Sequence, residues 1–249
     1  YGGAMPAGWT RLILEQFEMP FTTVYPKELD AGNLNAKYDV LLFVDGAIPA
    51  ARAARGGDFA GGGGGAAADS TLIPREYWPA LGSVSVDRTV PQLKRFLEAG
   101  GRVITIGSST SLAQHLGLPV ENHLLANGRP LTNEQYYIPG SLLEVAVDTS
   151  RSVSRGMSTR ATVMFDNSPV MKLGADAAAK GVRAIATFDS PTPLRSGWAW
   201  GQERLQGGVA MAEATVGKGT LYLFGPEVLF RAQPHGTFKF VFNALVSGN

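Results

Sequence analysis

The sequence contains no cysteine, and only three of its 249 residues are histidine. Without cysteine the chain forms no disulfide, no thiolate zinc site and no cysteine nucleophile. Its charge is sparse and balanced, with 22 Lys and Arg against 21 Asp and Glu. That balance gives no electrostatic reason to expect a nucleic acid or an anionic membrane as a partner.

Long apolar runs are also missing, and none approaches the roughly 20 residues that a membrane-spanning helix needs. Residues 1–6 have neither the basic nor the apolar segment of a signal peptide. They form a glycine-containing turn with no strand before it. We therefore expect the chain to be an internal part of a longer protein.

Residues 50–70 differ in composition from the rest of the chain, because alanine and glycine dominate them and residues 61–65 are all glycine. A phosphate-binding loop would require a GxxxxGK[ST] pattern, and no lysine follows here. Glycine loses the most backbone entropy on ordering. The composition predicts a mobile surface loop.

Hydrophobic periodicity predicts the order of the elements. Apolar residues at helical spacing predict helices at residues 7–17, 90–99, 112–116 and 237–246. Apolar or alternating runs predict strands at residues 21–25, 38–44, 103–106, 143–147, 162–165, 182–188, 209–214 and 220–224. Helices separate the early strands but not the late ones. We predict one α/β domain over residues 1–249, with an open, mostly parallel sheet, helices on both faces and a late antiparallel extension.

Two short motifs follow predicted strands. Residues 107–111 read Gly-Ser-Ser-Thr-Ser, and a Gly-Pro-Glu tripeptide begins at Gly225. Their positions resemble those of the Gly-x-Cys-x-Gly elbow and the late His-Pro-Glu of class I glutamine amidotransferases, which have a flavodoxin-like fold. The resemblance places Ser109 at the nucleophile, Gly225 at the base and Glu227 at the orienting carboxylate. A glycine side chain cannot accept a proton, so the resemblance implies a degenerate triad and no catalytic residue.

A longer resemblance covers nearly the whole chain. It is carried by residues 1–10, 29–34, 165–170, 224–227 and 231–239. These segments are similar to the amidotransferase-like domain at the C-terminus of large bacterial M14-family zinc carboxypeptidases. The resemblance implies a non-catalytic accessory domain, secreted or periplasmic, whose partners are the M14 peptidase domain of the same chain and a peptide substrate.

The peptidase's zinc chemistry is not expected in this domain. M14 enzymes bind zinc through a His-x-x-Glu pair and a distant histidine, and none of His115, His123 and His235 has that spacing. We predict no metal and no cofactor here, with zinc confined to the peptidase domain.

Ser109 has two further interpretations. In a serine hydrolase it would be the nucleophile, with a histidine from elsewhere in the fold, such as His235, as the base. Alternatively, the hydroxyls of residues 108–111 cap the following helix, which serine and threonine favour. The residue types favour capping.

Several residues remain as candidates for ligand binding. Parallel strands should bring Ser108, Ser109, Gly225 and Glu227 to one cleft, with Asp45 and Gly46 on its rim. This makes a small-molecule site a third hypothesis. We expect residues 231–239 to fill the cleft and Glu227 to bind backbone donors or Arg231. Trp198 and Trp200 are either a ligand platform or a contact between domains.

Overall fold

The computed structural model describes residues 4–51 and 72–247. The predicted mobile segment at residues 50–70 therefore lies almost wholly outside the described residues and stays a prediction. Helices occupy α1 (Met5–Gln16), α2 (Pro26–Ala31), α3 (Thr89–Glu98), α4 (Leu112–His115) and α5 (His235–Val246). Within the described residues, no helix is long and apolar enough to cross a membrane.

Twelve strands are formed by the described residues. They are β1 (Val40–Phe43), β2 (Arg102–Ile106), β3 (Val120–Asn122), β4 (Leu125–Ala126), β5 (Arg129–Pro130), β6 (Pro139–Val147), β7 (Arg160–Asp166), β8 (Met171–Leu173), β9 (Val182–Thr187), β10 (Leu194–Ser196), β11 (Val209–Val216) and β12 (Gly219–Phe224). Ten of them form one sheet with the central order β1-β2-β12-β11-β9-β6-β10, and β4 pairs with β5 separately.

The sheet has a parallel part and an antiparallel part. Strand β2 pairs in parallel with β1 on one side and with β12 on the other. From β12 onward the pairings to β11, β9, β6, β7 and β10 are antiparallel. The predicted antiparallel extension is thus present. It contains most of the strand pairings, so the prediction of a mostly parallel sheet is wrong, because among the described strands only β1, β2 and β12 pair in parallel.

Helices cover both faces of the sheet, as predicted. Alternate residues of β2 and β12 point to opposite sides, because side chains along a strand alternate. Ile104 and Phe224 join a core with residues of α1 and α5, whereas Val103 and Leu223 join a second core with residues of α3. The amphipathic α3 buries Leu93, Phe96 and Leu97 in that second core. The parallel strands are therefore buried on both faces, which fits their continuous apolar runs.

One predicted strand is wrong. Residues 21–25 form no strand, and the side chains of Phe21 and Tyr25 are exposed. Pro26 begins α2 directly after them. The β-branched and aromatic residues favour a strand, but no strand among the described residues pairs with this segment.

Candidate functional site

The carboxyl ends of β1, β2 and β12 lie side by side, as the predicted convergence requires. Asp45 follows β1, and Ser108 follows β2. The Oδ1 atom of Asp45 accepts hydrogen bonds from the backbone N–H and the hydroxyl of Ser108, each at 2.7 Å. The Ser108 hydroxyl in turn accepts from the N–H of Gly46 at 2.9 Å. The turn after β2 is therefore fastened to the loop after β1.

Ser109 is fully buried, with 0% of its surface exposed. Its hydroxyl donates to the carbonyl of Val44 at 2.6 Å. It also accepts from the N–H groups of Ala47 and Ile48, both at 3.1 Å. A hydroxyl has one donor and two acceptor sites. Groups of the loop after β1 occupy all three hydrogen-bonding sites of the Ser109 hydroxyl, and no histidine bonds to it.

The other polar residues of the turn continue this pattern. Ser111 Oγ donates to the carbonyl of Pro49 at 3.0 Å, and His115 Nε2 lies 2.7 Å from the same oxygen. Thr110 donates to the carbonyl of Gly107 at 2.8 Å. Helix α4 receives no side-chain cap. The predicted capping role is therefore wrong, because the hydroxyls of Ser109 and Ser111 bond to the loop after β1 and that of Thr110 bonds back to Gly107.

The backbone of the turn also departs from a nucleophile elbow, in which the nucleophile itself occupies the strained position. Here the left-handed residue is Gly107, with φ at 60°, and Ser109 has no positive φ. A Cβ at Gly107 would lie 2.8 Å from the Cβ of Asp45 and would also collide with its carboxylate. Glycine at this position therefore lets the two loops approach closely, and Ser109 lies inside the turn that follows.

Gly225, which the resemblance places at the position of the base, has no room for a side chain. An added Cβ would collide with the carbonyl oxygen of Pro169 and lie 2.9 Å from that of Ala210. The N–H of Gly225 also donates to the carbonyl of Ala210 at 2.9 Å. The expectation that residues 231–239 fill this space is wrong, because the backbone at Pro169 occupies it.

Asn167 explains how Pro169 reaches this position. Its backbone is left-handed, with φ at 43°, a conformation that asparagine tolerates. Its N–H donates to the carbonyl of Ile138 at 2.8 Å, and its side-chain Oδ1 accepts from the N–H of Ile138 at 3.0 Å. This pair of hydrogen bonds to the segment before β6 turns the chain after β7 toward Gly225.

Glu227 lies at the end of the same edge, and its carboxylate forms no hydrogen bond or ion pair with any described residue. The predicted pairing with Arg231 is wrong. The backbone of Arg231 is left-handed, with φ at 49°, and its guanidinium lies over the ring of Phe230, 5.0 Å from the centroid. Burial, reinforced by the negative charges of Asp45 and Asp166, raises the pKa of Glu227 to about 8.

The carboxyl of Asp166 forms one electrostatic group with those of Asp45 and Glu227. Burial, and then the charge of Asp45, raises the pKa of the Asp166 carboxyl. Among residues 4–51 and 72–247, no group of three or more His, Asp or Glu side chains has a geometry that could hold a metal ion. The predicted lack of a metal remains a prediction.

His235 begins α5, where its ring stacks on Phe238 with centroids 5.1 Å apart and an interplanar angle of 26°. The hydroxyl of Ser109 is committed to other partners, so the structure does not bring these two predicted residues together.

Trp198 and Trp200 lie apart from the strand edge. Ser141 donates to the carbonyl of Trp198 at 2.6 Å and accepts from its N–H at 2.9 Å. The indole N–H of Trp200 donates to the carbonyl of Glu134 at 2.7 Å, and Tyr137 packs edge-on against Trp198. The two tryptophans are nevertheless 55% and 53% exposed. They form an anchored aromatic surface, which we call the tryptophan face.

Sequence reasoning missed two features. Asp166 influences Glu227 although about 60 residues separate them, and no motif signals that approach. Arg160 and Lys239 line a cleft beside α5. They are likewise far apart in the sequence, so no local pattern signals their proximity.

No protein-family model matches the chain, and no curated protein matches it. Solved structures do resemble it. A GMP synthase component from Thermoplasma acidophilum superposes with a TM-score of 0.53 at 11% identity, covering 98% of this chain and 89% of that one. A ThuA-like protein from Bacteroides uniformis gives 0.48 at 9% identity, covering 96% and 80%. A β-galactosidase from Bacillus circulans gives 0.43 at 10% identity over 84% of this chain, which spans 22% of that enzyme.

At such low identity these similarities concern the fold alone. The three parallel strands and the helices on both faces define a mixed α/β fold, which the Thermoplasma acidophilum structure shares.

Proposed function

We propose that this chain is a non-catalytic accessory domain with an amidotransferase-like fold, which supports an M14-type zinc carboxypeptidase. The observation that carries the non-catalytic part is the state of Ser109. Its hydroxyl is buried and donates its proton to the carbonyl of Val44. An attacking hydroxyl must give its proton to a base and reach a substrate carbonyl. Ser109 does neither in this arrangement.

The base position supports the same proposal. A histidine at Gly225 would require the Pro169 carbonyl to move. Glu227, with no imidazole to orient, has a raised pKa and remains largely protonated at neutral pH. A neutral carboxyl would not stabilise an imidazolium as the triad carboxylate does.

The tryptophan face is the proposed contact with the peptidase domain. Aromatic residues are enriched in the cores of protein interfaces. Ser141 holds the backbone of Trp198, and the indole N–H of Trp200 is bonded to the carbonyl of Glu134, so little further ordering is needed on contact. A peptide-binding platform on the same face is the competing role. The M14 partner and a secreted or periplasmic location rest on the resemblance of the sequence segments.

A covalent probe tests the catalytic part without a mutation. A fluorophosphonate labels activated serines, and we expect intact-mass spectrometry of the treated chain to show no adduct. Ammonia release from glutamine should equal that of the buffer alone. An adduct mapped to Ser109 would falsify the non-catalytic proposal.

The partner is tested at the genetic and physical levels. The complete reading frame is expected to encode an M14 peptidase domain with a His-x-x-Glu zinc motif. In that full chain, replacing Trp198 and Trp200 by Ala should weaken the contact between domains, measured as faster proteolysis of the linker. Trp78→Ala is the matched control, because Trp78 is a 40% exposed tryptophan elsewhere on the surface. A frame without a peptidase, or equal proteolysis of both variants, contradicts this part.

A further inference from the structure

An open cleft of about 700 Å³ lies between α5 and the face of β7, away from the strand edge. This volume is within the range of roughly 300 to 1,000 Å³ that is typical of small-molecule sites. Ser108, Ser109, Gly225 and Glu227 are not among its lining residues. The cleft is therefore a separate feature, and an inference about it stands independently of the proposed function.

The Lys and Arg side chains that line the cleft are not matched by an acidic residue in the lining. Lys239 of α5 and Arg160 at the start of β7 line it, and no Asp or Glu does. Lys239 Nζ donates to the carbonyl of Gly156 at 3.0 Å and has no ion pair with a described residue. Arg160 pairs at 2.5 Å with Asp189, outside the lining, through only one of its nitrogens. An ammonium with two spare donors and a partly used guanidinium together favour an anion.

The rest of the lining includes apolar side chains that are exposed or only partly buried. They are Leu142, Met157, Met164 and Phe230. Methionine side chains adapt to irregular ligands, and an aromatic ring offers a flat apolar surface. A ligand that fits both parts of the lining has an anionic head and an apolar body.

We propose that this cleft binds a small organic carboxylate that carries an apolar group, with Lys239 and Arg160 holding the carboxylate. The carboxylate belongs either to a free acid or to the C-terminal residue of a peptide. Both present the same chemistry to the two cations.

Gly236 provides a way to block the cleft without removing a charge. It lines the cleft, and a Cβ added there would meet no atom within 4 Å. Its φ is not positive, so the backbone accepts any L-residue. It lies in the first turn of α5, where replacing glycine does not reduce helix propensity. Gly236→Leu should therefore fold normally while its side chain occupies the open space.

The test is calorimetric titration of the whole chain with N-acetylphenylalanine and with a tripeptide ending in phenylalanine, each as the acid and as the amide. We expect saturable binding of at least one acid, and the comparison between the two acids identifies the source of the carboxylate. Losing a charge-assisted bond should weaken binding about tenfold, so both the amides and Lys239→Gln should show this loss. Added salt should also weaken binding.

Two further variants complete the design. Lys94→Gln removes an exposed lysine from α3 and should leave binding unchanged. Gly236→Leu should abolish binding of the acid while the thermal midpoint stays at or above the wild-type value. The proposal is overturned if neither acid saturates at millimolar concentration, if the amides bind as well as the acids, or if Gly236→Leu and Lys239→Gln bind like the wild type.

Discussion

The strand edge and the cleft beside α5 use their polar groups in opposite ways. At the edge, Ser108 and Ser109 bond entirely to the neighbouring loop. In the cleft, Lys239 uses one donor on a carbonyl and presents the others to solvent. Buried polar groups are costly unless they are paired, whereas an exposed ammonium is satisfied by water. The edge therefore contributes to stability, and the cleft remains available for binding.

This difference indicates which of the two regions the fold depends on. Ser109 holds two loops together, and the backbone carbonyl of Pro169 occupies the space that a side chain at Gly225 would need. Substitutions at the edge should therefore reduce the free energy of unfolding. Similar substitutions in the cleft should affect it little.

The largest effect on the free energy of unfolding is expected from placing a histidine at position 225. Gly225→His should lower the free energy of unfolding by more than about 3 kcal/mol, because overpacking is combined with a displaced backbone hydrogen bond. Gly236→His in the cleft is the matched control and should cost less than about 0.5 kcal/mol, since nothing lies within 4 Å. Urea denaturation measures both. A Gly225→His variant as stable as the control would show that the edge is as adaptable as the cleft.

Ser109→Ala should cost about 3 kcal/mol, because it leaves the carbonyl of Val44 and the N–H groups of Ala47 and Ile48 without their partner. Ser158→Ala removes an exposed hydroxyl from the cleft lining and should change stability by less than about 0.5 kcal/mol. The same denaturation curves give both values. Equal costs would contradict the structural role assigned to Ser109.

The pH dependence of stability should depend on Glu227. Its folded pKa is raised from 4.5 to about 8, so the folded chain retains a proton that the unfolded chain releases. This stabilising contribution is fully present below about pH 4.5 and is lost as the pH rises through about 8. Between about pH 6 and pH 9 the loss should be about 3 kcal/mol.

Glu227→Gln should flatten this part of the profile, because glutamine keeps the size of the neutral acid without an ionisable proton. The variant should also be more stable than the wild type at about pH 9. Glu121→Gln, at an exposed position in β3, should leave the profile unchanged. If Glu227→Gln kept the wild-type dependence of stability on pH, the titrating group would have to be another residue.

The smallest effect is expected from alanine in the cleft wall. Gly236→Ala should raise the free energy of unfolding by about 0.5 kcal/mol, since alanine costs less backbone entropy in a helix. Gly225→Ala should instead be destabilising, because its Cβ meets Pro169. Thermal unfolding of the pair measures the difference. If Gly236→Ala and Gly225→Ala changed the free energy of unfolding in the same direction, the contrast between the cleft and the strand edge would not hold.

Local sequence predicts most of the secondary structure. The period of apolar residues locates α3 and α5, and the uninterrupted runs locate β1, β2 and β12. The short strands β8 and β10 are not predicted, since each has three residues and depends on its partners. The strand predicted at residues 21–25 fails for the converse reason, because none of the strands that the structure describes pairs with it.

The residues of the candidate site also divide into those that local sequence places and those that depend on distant partners. Adjacent parallel strands have to bring Asp45 and Ser108 together, and the sequence order is sufficient to predict it. The filling of the Gly225 position is not predictable, because it depends on Asn167 pairing with Ile138 next to β6. The contact of Arg231 with Phe230 depends on a left-handed backbone that the residue type does not favour.

The sequence by itself determined the order of the elements, the apolar faces that pack them, the lack of cysteine and the glycine at position 225. These depend on residue type and on spacing over a few residues. Only the tertiary structure decided that Ser109 is buried, that Pro169 replaces a side chain at Gly225 and that Lys239 faces an open cleft. Each of these depends on which distant segments meet, and burial and electrostatics act through space rather than along the chain.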